Sequence, residues 1–361
     1  APISSSGSPL NGPWSQSMTD LNIHSDEVSK HICPIYTADD LDRLETFHIR
    51  FDGVALSELP EKWSHAQNDA LGYFVWLFCN LAAAGAIPLT GDSLALLEKL
   101  VAYFRAIRFW KDEDSGHWEE VRKINASSIG VVVGGLEAMK TVLEAPGRSE
   151  CFDPARIESN VRLLADLIRR GRGALDDILP AECVQRAPQK RRRYDGALMF
   201  LVYPVGVVDQ AMADRIVGDV AAHLRGDVGI RRYIGDSYWC ADYRALFPPE
   251  ERSGDFSQNL ERRDRLLKQG QEAQWCIFDP IMSAIYGNRF LRSGIASDQE
   301  KQIAYFNRSL GQITSTLQCP EAYFLERGKY VPNDDVPLVW TQANLWLALK
   351  LMQNTAALRA A

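Results

Sequence analysis

The chain has 361 residues, enough to bury a large core in one big domain or two ordinary ones. Hydrophobic residues make up 46% of it, which is typical of a globular protein and excludes a disordered chain. The net charge of −7 argues against a general nucleic-acid binder. The 7 cysteines contain no CxxC pair, so we expect neither a disulfide framework nor a zinc site.

The N-terminal segment, residues 1–45, is rich in Ser, Pro, Gly and Asp and has no hydrophobic period, which predicts an extended arm. Its start has neither the basic residues nor the apolar run of a signal peptide. Residues 46–361 are predicted to form the main domain, opening with a short strand and turn within 45–62. Since we also find no apolar stretch long enough to span a bilayer, we expect a cytoplasmic protein.

Helical periodicity begins at Gln67, and from 67 to 84 the chain is apolar nearly all round, as in a helix buried on most sides. Further apolar stripes predict helices at 93–110, 126–144, 155–170, 211–225, 297–316 and 337–357. Very apolar and amphipathic helices alternate, which is typical of an inner and an outer ring in an all-α protein. Without βαβ alternation, Rossmann and TIM-barrel folds are disfavoured.

Loops are predicted at 111–125, 227–256 and 317–336, where Gly, Pro and aromatic residues gather. The basic run Lys190-Arg191-Arg192-Arg193 is predicted to be a solvated loop, with a nuclear or nucleic-acid patch as the alternative.

The candidate chemistry lies in carboxylates beside aromatic residues. No Gly-rich phosphate loop follows a strand, and no GxSxG elbow occurs. Aromatic side chains with Asp, Glu, Asn and Gln are the usual lining of a sugar site. Glu119 follows Trp118, whose ring would desolvate the carboxyl and raise its pKa, as a general acid requires. The alternative is that Glu119 and Glu120 are surface residues that open a helix.

A second carboxyl candidate, Glu321, lies in the loop that precedes the last predicted helix. A glutamate after a proline in a loop also suits an exposed surface, so Glu321 alone does not predict catalysis.

Several motifs together resemble a known family. Trp118-Glu119-Glu120-Val121 with Asn125-Ala126-Ser127-Ser128 resembles the general-acid loop of glucoamylase-type glycoside hydrolases (family 15), and still more the related region of phosphorylase kinase α and β subunits. Four further segments are similar to family motifs in the same order along the chain: Trp63-Ser64-His65-Ala66-Gln67-Asn68-Asp69, Arg232-Tyr233-Ile234-Gly235-Asp236-Ser237-Tyr238, Pro320-Glu321-Ala322-Tyr323 and Pro337-Leu338-Val339-Trp340-Thr341-Gln342. The resemblance covers roughly residues 48–352.

The resemblance implies an (α/α)6 toroid and an inverting hydrolase that acts on non-reducing α-glucosyl ends. It implies that Glu119 is the general acid and Glu321 the general base that activates water. In such enzymes the two carboxyls lie about 6.5–9.5 Å apart, the acid with a raised pKa and the base with an ordinary one. The other residues that it assigns to the sugar site are Trp63, Gln67, Asp69, Trp118, Glu120, Arg232, Asp236, Tyr323 and Trp340.

Two departures from the family keep alternatives open. The family begins with two more helices joined around an Arg-Asp pair that holds the terminal glucose, and no such motif precedes Trp63; Arg43 and Asp52 stand in other contexts. His65 also stands where the family has Arg. The toroid is therefore expected to be incomplete at its N-terminal side unless residues 1–45 or a second chain close it. The alternative functions are a non-catalytic carbohydrate-binding or regulatory module, or other acid/base chemistry on the same scaffold.

We expect a small carbohydrate or glycoside as the partner. We expect no cofactor, metal, nucleic acid or membrane, and a homo-oligomer is left open.

Overall fold

The structure is a computed structural model that describes residues 54–55, 57, 66–146, 152–252, 265 and 270–360. The predicted N-terminal arm, most of the predicted strand and turn at 45–62, and Trp63 lie outside these residues.

Helices make up most of the described chain. They are α1 (Asn68–Ala83), α2 (Gly91–Ile107), α3 (Ala126–Glu144), α4 (Pro154–Ile178), α5 (Met199–Val202), α6 (Gln210–Asp219), α7 (Tyr243–Leu246), α8 (Phe278–Ser293), α9 (Ala296–Gly311) and α10 (Val339–Ala360). A π-helical turn, Val220–Leu224, continues α6. Local sequence sets several of these ends: Thr90 and Ser93 form a capping box on α2, and Asp153 caps α4, whose first residue is proline.

The predicted alternation of buried and amphipathic helices is confirmed. Helix α3 is buried over most of its length and packs between α1 and the amphipathic α4. In the second half, α8 is buried and packs against the amphipathic α9 and against α10. Buried helices thus form an inner layer, and α2, α4, α6 and α9 turn their polar faces outward.

Glycines bring α1 and α3 into backbone contact. A Cβ atom on Gly72 would lie 2.9 Å from the Val132 nitrogen, and one on Gly135 would lie 2.8 Å from the Gly72 oxygen. Helix α3 is long and apolar enough to cross a membrane (mean hydropathy 1.3), contrary to what we inferred from the sequence, but 78% of that stretch is buried inside the protein. Burial and close packing identify α3 as the core helix of a globular fold.

The predicted loop at 317–336 is instead largely a β-hairpin. Strands β4 (Ala322–Glu326) and β5 (Lys329–Pro332) pair antiparallel, and β4 also pairs with β3 (Gln274–Trp275). The two-residue turn Arg327-Gly328 has positive φ at both positions (51° and 78°), the geometry that matches the twist of a hairpin. The sequence signal was the glycine between two runs of apolar and aromatic residues.

Further elements differ from the predictions, among them the short helix α7, which lies within the predicted loop at 227–256. Helix α8 was not predicted, because its mixture of apolar and polar residues carries a weak helical stripe. The basic run was expected to be a solvated loop, but Arg191 and Arg192 form strand β2, paired antiparallel with β1 (Cys183–Val184). The run is structured because three of its members, Lys190, Arg192 and Arg193, form ion pairs with Glu113, Glu120 and Asp219, respectively.

Candidate active site

The predicted general acid lies on a sharply turned loop. A 3-10 turn, Gly116–Trp118, leads into Glu119, which has φ of +54°, a conformation that non-glycine residues rarely adopt. Trp118 is buried, and its Nε1 donates a hydrogen bond of 2.9 Å to Asp195 Oδ1. The loop is closed at its base by backbone hydrogen bonds between Asp114 and Lys123. Glu119 is therefore an exposed residue that directly follows a tryptophan fixed in the core.

Glu120, the next residue, points into the protein and holds several loops together. Its carboxylate accepts a hydrogen bond of 2.7 Å from Arg192 Nη2 and one of 3.4 Å from Lys123 Nζ, and a further one from the Tyr233 hydroxyl. Arg232 Nη2 lies 3.9 Å from the same carboxylate. These charges compensate a buried carboxylate that would otherwise be costly. The two neighbouring glutamates thus differ: Glu119 is exposed to solvent, and Glu120 is buried and anchors the loops around it.

Arg232 and Asp236 form a buried bidentate ion pair, with distances of 2.6 Å and 2.7 Å. The Arg232 guanidinium carbon lies 5.2, 5.0 and 4.8 Å from the ring centres of Trp118, Tyr238 and Trp275. Guanidinium groups are attracted to aromatic faces at these distances. Arg232 is thus fixed inside an aromatic cage that includes the tryptophan of the acid loop.

Glu321 immediately precedes β4 and is held by the end of the hairpin. Its Oε2 accepts a hydrogen bond of 2.6 Å from Asn333 Nδ2, and its backbone N–H donates to the Asp335 carbonyl oxygen at 3.0 Å. Burial raises the pKa of Glu321 to about 8, and the negative charge of Asp335 adds to the effect, while Arg232 lowers it. We expected an ordinary pKa for the base; the difference arises because the carboxyl is shielded from water and shares its surroundings with a second carboxylate.

Arg232 connects the two candidate carboxyl loops. It lies 3.9 Å from Glu120, the neighbour of Glu119, and close enough to Glu321 to shift its pKa. Tyr238, in the cage around Arg232, has its own pKa raised by burial and by the charge of Glu321. The structure therefore gathers Trp118, Glu120, Arg232, Asp236 and Glu321 into one region.

Asp69 lies in a buried polar network behind the acid loop. Its Oδ2 is 3.6 Å from Nδ1 of His117, which is also 3.2 Å from Ser127 Oγ, and that hydroxyl donates to Glu182 Oε1 at 2.6 Å. Burial raises the pKa of Asp69 to about 6 and lowers that of His117 to about 4. The imidazole is therefore neutral at pH 7. Gln67, half-buried, is the N-cap residue of α1 just before this network.

Two predicted site residues, Tyr323 and Trp340, make their contacts away from the two carboxyl groups. The Tyr323 hydroxyl donates to the Gln312 carbonyl oxygen at 3.0 Å, at the end of the outer helix α9. Trp340 stacks on Phe200, with ring centres 5.4 Å apart, and packs against the aromatic cluster that contains Trp118. Trp340 thus supports the site from the core, whereas Tyr323 joins the hairpin to α9.

Sequence reasoning missed several residues that shape the site. Trp275 and Tyr238 complete the cage, Asp195 holds Trp118, and Asn333 and Asp335 surround Glu321. The dense polar run Asn333-Asp334-Asp335 was a usable signal. Trp275 carried none, because its place depends on the pairing of β3 with β4.

The alternation of buried and amphipathic helices belongs to the glucoamylase class of folds, as the similarity to solved structures shows. The chain is similar to a bacterial glucoamylase solved in complex with acarbose, with a TM-score of 0.52 and 14% identity over 83% of this chain and 42% of that one. It is also similar to the glucoamylase of Saccharomycopsis fibuligera, with a TM-score of 0.54 and 12% identity over 95% of this chain and 84% of that one. The predicted all-α toroid is confirmed.

The sequence itself is similar to a probable phosphorylase b kinase regulatory subunit alpha of Caenorhabditis elegans, with 27% identity over 186 residues. That match covers 49% of this chain and 14% of the relative. No family model matches the chain. The chain therefore combines the glucoamylase fold with a sequence that is similar to a kinase regulatory subunit, the branch that the motifs indicated.

Proposed function

We propose that this protein is an inverting glycoside hydrolase that acts on non-reducing α-glucosyl ends. The observation that carries the proposal is the position of Arg232. It lies 3.9 Å from Glu120 in the acid loop and close enough to Glu321 to lower the pKa of that carboxyl, so both carboxyl loops lie near the same arginine. The acarbose bound to the bacterial glucoamylase supports a carbohydrate ligand for this fold.

In the proposed mechanism Glu119 donates its proton to the glycosidic oxygen as the bond to the anomeric carbon breaks. A water molecule attacks that carbon from the opposite face, and Glu321 accepts the proton that this water loses. The anomeric configuration is inverted because only one displacement occurs. Glu321 must be ionised to act as the base, so the rate is expected to rise with pH towards the pKa of about 8.

The test is hydrolysis of maltose, isomaltose and p-nitrophenyl α-glucoside, with the anomer of the released sugar followed by NMR. We expect β-glucose from the wild type, and a rate lower by orders of magnitude in Glu119→Gln and in Glu321→Gln. Glu300→Gln is the matched control, because Glu300 is an exposed glutamate on the outer helix α9. Activity that survives both site substitutions would refute the assigned roles.

The second candidate is a carbohydrate-binding regulatory module. Similarity to a kinase regulatory subunit favours it, and so does the raised pKa of Glu321, because a protonated carboxyl cannot accept a proton from water at pH 7. Sugar binding without release of glucose from any of the three substrates would favour this function. A cytoplasmic location and a homo-oligomer stay predictions.

A further inference from the structure

A cavity beside the candidate active site is lined by an unusual number of cations. It has a volume of about 270 Å³ and lies between the β1–β2 hairpin, the acid loop and the segment after Arg232. This volume is slightly below the range of about 300–1,000 Å³ that is usual for drug-sized ligands, so the cavity suits a small group. Its lining includes Glu120, Lys123, Arg191, Arg192, Arg193 and Tyr233.

Two of the cations form a rigid wall because acidic partners hold them. Arg192 bonds Glu120 at 2.7 Å and Asp195 at 2.9 Å, and its guanidinium carbon lies 3.3 Å from the Tyr233 ring centre. Arg193 bonds Asp219 at 2.6 Å. Side chains fixed in this way lose little conformational entropy when a ligand arrives.

Arg191 is different. Its side chain is exposed at the cavity, and it makes no ion pair with any carboxylate in the described part of the chain. The cavity wall carries four cations (Lys123, Arg191, Arg192 and Arg193), and the carboxylates that pair with them are three (Glu120, Asp195 and Asp219). Four minus three leaves one positive charge without a partner, and it sits on Arg191.

We propose that this cavity binds a phosphoryl group, with Arg191 as its main ligand and Lys123 and Arg192 beside it. Guanidinium groups donate paired hydrogen bonds that match the oxygens of phosphate, and charge-assisted bonds of this kind are the strong ones. The carboxylate of Glu120 in the wall does not repel the anion strongly, since Arg192 and Lys123 already compensate its charge. This site goes beyond the proposed hydrolysis and does not depend on it.

The test is isothermal titration calorimetry of the full chain with potassium phosphate at constant ionic strength, with potassium chloride as the reference titrant. We expect saturable binding of phosphate, weakened about tenfold or more in Arg191→Ala, the loss expected for one hydrogen bond to a charged group. Arg105→Ala is the matched control, because Arg105 is exposed on the distant outer helix α2. Heats no larger than those of chloride, or equal weakening in Arg105→Ala, would overturn the proposal.

Glucose 1-phosphate and glucose 6-phosphate distinguish the two sources of the phosphoryl group. Tighter binding of either sugar ester than of orthophosphate, weakened by the same factor in Arg191→Ala, assigns the cavity to a phosphorylated sugar. Equal affinities assign it to free phosphate. Because binding is measured directly, failure of this proposal and failure of the hydrolase proposal give separate results.

Discussion

Replacement of Gly135 by alanine tests whether α1 and α3 meet through their backbones. The added Cβ would lie 2.8 Å from the carbonyl oxygen of Gly72 and 3.2 Å from the Val75 Cβ. A backbone oxygen within a helix cannot rotate away as the end of a flexible side chain can, so one helix must shift.

The expected change in unfolding free energy follows from two opposing terms. Overpacking of a close-packed core costs about 1–3 kcal/mol, and the upper half of that range applies because the neighbouring atom is backbone. Alanine is favoured over glycine within a helix by about 1 kcal/mol. The difference predicts that Gly135→Ala destabilises the protein by about 1–2 kcal/mol.

Urea unfolding followed by circular dichroism measures this change through the midpoint at an unchanged slope. Gly173→Ala, on the exposed face of α4 with no atom within 4 Å of the added Cβ, is the matched control and should gain up to about 1 kcal/mol. If both variants gained stability equally, the inferred backbone contact between α1 and α3 would be wrong.

Three further predictions concern the site. Asp335→Asn removes a negative charge beside Glu321 and should therefore lower the pKa of Glu321. In a plot of kcat/KM against pH, measured on p-nitrophenyl α-glucoside, the rising limb should move below pH 8. A limb that does not move would show that it does not arise from Glu321. The carboxyl of Glu321 has a higher pKa in the folded protein (about 8) than its ordinary value of 4.5, so its contribution to stability is complete below about pH 4.5 and is lost as pH rises towards 8. Glu321→Gln should therefore reduce the fall in stability between pH 5 and 8 in urea titrations, and an unchanged slope would contradict the raised pKa. Arg192→Met leaves Glu120 and Asp195 without their shared cation and should cost about 3–5 kcal/mol, whereas Arg192→Lys should cost less; a melting temperature unchanged by the methionine would show that Arg192 is not the anchor.

The sequence predicted most of the long helices, because their apolar residues form a pattern that is visible locally. It missed α8, although that helix is as buried as α3, since Asp279 and Ser283 interrupt its apolar residues. Their partners are distant in sequence: Arg308 Nε donates to Asp279, and Ser283 donates to the Gln302 carbonyl oxygen. A polar residue inside a core can be recognised as a core residue only when its partner is known.

The site shows the same limit. Motifs predicted that Glu119 and Glu321 lie in site loops, but the different environments of the carboxyls depend on residues that no local pattern connects to them. Glu120 became an anchor through Arg192, a member of a basic run that had indicated a solvated loop. Glu321 has a raised pKa through burial and through Asp335.

The protonation state of Glu321 separates the two proposed functions chemically. An inverting hydrolase needs the carboxylate, which accepts a proton from water. A binding module can use the neutral carboxyl, because this form donates one hydrogen bond to a sugar hydroxyl and accepts another. Burial and the charge of Asp335 favour the neutral form, whereas Arg232 favours the carboxylate, so the surroundings of Glu321 set which form is present at a given pH. The fold fixes the positions around Glu321, and the side chains at these positions, Asp335 and Arg232 among them, influence its protonation state.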